Sequence, residues 1–66
     1  MSISKPVLLA MIVKQYSSSG TWVMVPDNYC QKARALVRDG ALIAGPEAGQ
    51  FMPSKLGELM AGDLDG

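Results

Sequence analysis

The 66-residue chain has no histidine and a single cysteine, Cys30. Without histidine the usual general base at neutral pH is missing, and the scattered carboxylates assemble no nucleophile, base and orienting group, so the expectation is a protein that is not an enzyme. A zinc site needs about four Cys, His or carboxylate ligands, and one cysteine without a spaced partner supplies no such set, so neither a metal nor another cofactor is expected. The lone cysteine also closes no internal disulfide. A secreted domain with so small a core ordinarily needs several, which points to a cytoplasmic location. No apolar run approaches the roughly 20 residues of a membrane span. The run Pro6–Val13 behind Lys5 is eight residues long, and no small-x-small cleavage pattern follows it, so it does not read as a secretory leader.

Charge is scarce as well. Six Lys/Arg balance six Asp/Glu for a net charge of zero, which removes the overall basic field that steers most nucleic-acid binders. The charge is polarised all the same. Five basic against two acidic residues give 1–46 a charge of +3, and one basic against four acidic residues give 47–66 a charge of −3. Hydrophobic residues make up 48% of the chain, enough to condense, and its length allows one domain with a single core and no room for a second. No internal repeat is found.

Several local signals define the elements. Ser4 and Pro6 mark a helix start, and residues 5–16 follow as helix, apolar around most of the circumference. Such a helix is buried on two sides or lies against a partner chain, for instance as a homodimer seam through 5–16. A strand over 7–16, paired with 21–25 as a hairpin, competes with this reading. Ser17–Gly20 reads as a turn, and Thr21–Val25 as an edge strand stopped by Pro26, with Trp22 packing from it into the core. Asp27 stands where an N-cap belongs, before a helix over 28–39. Tyr29, Cys30, Ala33, Leu36 and Val37 fill its inner face, and Gly40 ends it. On that face Cys30 reads as a small buried hydrophobe. Residues 41–44 and 50–52 read as strands of a hairpin, and Gly45–Gly49 between them lacks the Lys and Ser/Thr of a phosphate loop and reads as a turn. Ser54 caps a last helix over 55–61 that buries Leu56, Leu59 and Met60 and ends at Gly62, with 63–66 as a frayed acidic tail. Five methionines, Met11, Met24, Met52 and Met60 among them, suit irregular core gaps or an adaptable binding surface equally.

The fold class that follows is α+β, in the order helix, strand, helix, β-hairpin, helix. Ala33–Arg38, Gly40-Ala41-Leu42-Ile43, the Gly45–Gly49 tip and Ser54-Lys55-Leu56-Gly57 together resemble the second half of a winged helix-turn-helix domain. There a recognition helix runs into a two-stranded wing, and a final helix starts with Ser or Thr three residues before a Gly. The resemblance covers about half the chain and rests on turn chemistry and spacing. A full winged helix has two helices before the recognition helix, and the ten residues Ser17–Pro26 leave no space for the second, so the form expected is an abbreviated one.

The resemblance implies a small transcriptional regulator that lays the 28–39 helix in the major groove of double-stranded DNA. Asn28, Gln31, Lys32, Arg34 and Arg38 are then the DNA-binding residues. Arg and Asn or Gln read guanine and adenine edges, Lys32 meets phosphate, and the 45–49 loop meets backbone. With few cations the affinity of a monomer is weak and salt-dependent, and useful specificity requires a dimer. The alternative is a protein-interaction module, such as a small regulator or inhibitor of the phage or prophage type aimed at a host protein. It would use the apolar first helix, Trp22 and the acidic tail.

Overall fold

The computed structural model describes residues 3–65, with side chains through Gly62. The fold is α+β in the expected order: α1 (Lys5–Ser19), β1 (Val23–Met24), a single 3-10 turn (Asp27–Tyr29), α2 (Cys30–Arg38), β2 (Leu42–Ala44), β3 (Gln50–Pro53) and α3 (Lys55–Asp65). The three strands form one antiparallel sheet in the order β1-β3-β2, so β1 is an edge strand. Val23 and Ala44 flank Phe51 from either side, and Leu42 faces Pro53. Because alternate residues of a strand face opposite ways, Val23, Leu42, Phe51 and Pro53 point to one side and are buried, while Met24 and Ile43 point to the other and are exposed.

The core is built on the inner side of that sheet. Leu8, Leu9 and Ile12 of α1, Ala33 and Leu36 of α2, and Ala61 of α3 meet Val23, Val25, Ala41, Leu42 and Phe51. Each large aliphatic or aromatic side chain so buried contributes about 1.5–3 kcal/mol. Tyr29, Cys30 and Val37 pack against this cluster half-buried, so Cys30 is a half-buried thiol, 3.6 Å from the Val25 carbonyl oxygen, and not fully enclosed.

Several boundaries differ from the sequence reading. α1 is a helix, which disposes of the competing hairpin, and it runs through all three serines to Ser19. It stops at Gly20, whose left-handed backbone (φ 70°) lets its N–H donate to the Tyr16 carbonyl at 2.7 Å. The Ser4 side chain makes no capping bond, and its carbonyl accepts the Leu8 N–H instead. Asp27 likewise makes no side-chain cap; it opens the 3-10 turn, so the α-helical part begins at Cys30 and not at 28. α3 continues past Gly62 to Asp65, beyond the expected stop, because no residue there takes a left-handed backbone that would end it, and it turns Gly57 and Ala61 inward while Leu56, Leu59 and Met60, expected in the core, are exposed. Gly66 lies outside the described residues. Trp22 is not in the core. It is half-buried and its ring lies over Gly45, where a Cβ would approach it to 3.1 Å.

The far end of α2 is locked to α3. Gly40 (φ 86°) donates its N–H to the Val37 carbonyl and Ala41 to that of Leu36, the paired bonds that close a helix over a left-handed residue. Ser54 then bridges the two elements: its N–H donates to the Ala41 carbonyl, its hydroxyl donates to the Gly40 carbonyl at 2.5 Å, and its Oγ accepts the Gly57 N–H at 3.0 Å. Gly57 presses directly on the Ala41 carbonyl, and a Cβ there would overlap that oxygen. The Ser-x-x-Gly spacing thus has a local cause: one residue caps α3 and the other lets the helix backbone touch the lead-in to β2.

Candidate nucleic-acid interface

α2 presents its polar residues from a short, well-anchored cylinder. Ala33 and Leu36 are buried and hold its inner side, while Gln31, Arg34 and Arg38 are exposed. At about 100° per residue these three fall within roughly 60° of one another and form a single row, with Asn28 exposed in the 3-10 turn just ahead. Lys32 does not join them. It is half-buried and lies roughly 160° of rotation from Arg34, on the opposite flank. The sequence pattern grouped all five residues as one polar side; the structure divides them into a Gln31–Arg34–Arg38 row, an Asn28 in the turn ahead of it and a separate Lys32.

Arg34 also lines an open groove of about 250 Å³ between α2 and the β2–β3 loop, together with Val37, Ala44, Pro46, Glu47 and Phe51. The loop is held in shape from within. Gly45 donates to the Gln50 carbonyl at 2.8 Å, Gln50 donates to the Glu47 carbonyl at 3.2 Å, and the Gln50 side-chain oxygen accepts the Glu47 N–H at 3.2 Å. Gly49 has φ 85° and its carbonyl accepts the Val25 N–H, which ties the loop to the residue after β1. A Cβ on Gly45 would lie 2.6 Å from that of Gln50, so the base of the loop admits glycine alone. The loop contributes no cation; its one charged side chain is Glu47.

Electrostatically the row is open. Among the described residues the one ion pair is Lys5 to Asp39, at 3.3 Å. Asp39 follows Arg38 in sequence, yet it turns to the start of α1, and both arginines are left without an acidic partner within ion-pair reach among the described residues. Delocalised guanidinium groups held four residues apart on one helical face suit planar acceptors such as phosphates or base edges.

Sequence reasoning missed three participants: Gln50, which braces the loop; Glu47, which lines the same groove as Arg34; and Lys5, which draws off Asp39. Hairpin register is the one signal that pointed to Gln50, as the first strand residue after the loop. No group of His, Cys, Asp and Glu that could hold a metal ion occurs among the described residues, and no helix there is long and apolar enough to cross a membrane. Comparison with family models, with curated proteins and with solved structures finds no match to the chain.

Proposed function

We propose that the chain is a small DNA-binding regulator of abbreviated winged-helix type, with α2 in the major groove and the β2–β3 loop beside the phosphate backbone. The observation that carries the reading is the exposed row Gln31–Arg34–Arg38, without an acidic partner among the described residues, on a helix that leads directly into a braced hairpin. The 3-10 turn Asp27–Tyr29 stands where a full winged helix has its middle helix, which suits the abbreviated form. In this arrangement Arg34 and Arg38 meet guanine edges or phosphates, Gln31 and Asn28 meet adenine edges, and the loop approaches through its backbone because it lacks cations. Lys32, on the far flank, has at most a secondary contact with phosphate.

Fluorescence titration of labelled duplex DNA at low salt tests this. Wild type is expected to bind in the micromolar range or tighter, with Arg34→Ala and Arg38→Ala each about tenfold weaker. Absence of binding by wild type to pooled genomic DNA at micromolar protein would overturn the reading. It would leave the competing one, a module for a protein partner, which the exposed Met24 and Ile43 on the outer face of the sheet favour.

A further inference from the structure

We infer that a second copy of this chain docks on the α1–α3 side of the molecule. α1 is apolar on both its sides, yet the fold covers only one. Leu8, Leu9 and Ile12 are buried, while Val7 and Met11 remain 48% and 47% exposed one helical turn apart. A helix apolar around its circumference is ordinarily buried around it too, and here the described chain leaves about half of each of these two side chains in solvent. Together with α3 it walls an open groove of about 770 Å³, whose exposed lining includes Val7, Met11 and Lys14 from α1 and Glu58 and Gly62 from α3.

The charges on this groove select the occupant. Lys14 stands on one wall and Glu58 on the other, both exposed and without an ion-pair partner among the described residues. In a two-fold interface residue i meets residue j and j meets i, so one such pair satisfies itself twice: Lys14 of each copy reaches Glu58 of the other, around a centre of Val7 and Met11. A partner of uniform charge would meet one wall favourably and be repelled by the other. The groove shares no residue with the one lined by Arg34, so the pairing leaves the α2 row open. The inference stands whether or not the chain binds DNA.

Sedimentation equilibrium on the full chain in reducing buffer, from micromolar to about 200 µM, is the test. Wild type is expected to approach twice its 7.0 kDa mass at the upper end. Lys14→Glu and Glu58→Lys should each weaken association about tenfold, since each replaces two attractive contacts with two repulsive ones. The double variant Lys14→Glu with Glu58→Lys should return to within about threefold of wild type. All the altered side chains are exposed, and thermal melts of dilute samples confirm that the fold is retained. A wild type that stays monomeric at 200 µM would overturn the inference, and so would a double variant no better than either single one.

Discussion

α1 and α2 pack against the same sheet but divide their side chains differently. α2 turns Ala33 and Leu36 inward and gives the rest of its surface mostly to Gln31, Lys32, Arg34 and Arg38, so its pattern admits one orientation. α1 buries Leu8, Leu9 and Ile12 but leaves the equally apolar Val7 and Met11 in solvent, so composition alone does not say which side faces the core. The difference teaches that a hydrophobic stripe is informative in proportion to the polar residues beside it. Where they are absent, the fold chooses one side and leaves the other in solvent.

The largest effect expected from breaking this comparison lies within α1 itself. Leu9 is 1% exposed, and Leu9→Ala should cost about 3 kcal/mol, lowering the melting temperature by more than about 10 °C in a domain of this size. Met11→Ala, two residues away, should change the melting of a dilute sample by less than about 0.5 kcal/mol. Equal losses at the two positions, measured by thermal or urea melts, would show that both sides of α1 are buried in one chain and that the contrast with α2 is false.

A somewhat smaller pair of effects concerns how α2 is held at its far end. Gly57→Ala forces a methyl group into the Ala41 carbonyl, which α3 relieves only by shifting; the expected cost is about 2 kcal/mol. Ser54→Ala removes both the cap on the Gly57 N–H and the bond to the Gly40 carbonyl, with an expected cost of about 1 kcal/mol. Gly62→Ala is the control in the same helix, because nothing lies within 4 Å of a Cβ there, and it should be neutral or stabilising by up to about 1 kcal/mol. Urea denaturation of the three variants orders them. A Gly57→Ala no less stable than Gly62→Ala would mean that α3 does not rest on the lead-in to β2.

The order of elements was legible because its signals are local: Pro26 ends β1, Gly40 ends α2, and Gly45 and Gly49 bound the loop. The boundaries of α1 and α3 were less so. Serine costs a helix only tenths of a kcal/mol per residue relative to alanine, so Ser17–Ser19 remain helical until Gly20 supplies a left-handed stop, whereas Gly62 takes no such conformation and α3 passes through it. Trp22 escaped because size suggested burial, while strand alternation turns it to the same side as Met24. In the candidate site, grouping by residue type joined two flanks of α2. Lys32 belongs to the polar residues of α2, but helical rotation carries it away from the arginines, a distinction that spacing contained and composition did not.

The same rotation supplies the finest test. Replacing Arg34, Arg38 or Lys32 by alanine should change folding stability by less than about 0.5 kcal/mol, because none of them is fully buried or paired with an acidic group among the described residues. Their effects on DNA binding should then separate by flank. Each phosphate neutralised contributes about −0.9 to the slope of log affinity against log salt, so a chain that uses both arginines on phosphates shows about −2 and a two-fold pair about −4. Loss of either arginine should flatten that slope by about one per chain, or leave it unchanged while relaxing base preference if the side chain reads a guanine edge. Lys32→Ala should do much less of either. If Lys32→Ala instead flattens the slope as strongly as Arg34→Ala, α2 meets DNA along the line between its two flanks, and the open row of Gln31, Arg34 and Arg38 is not the contact surface.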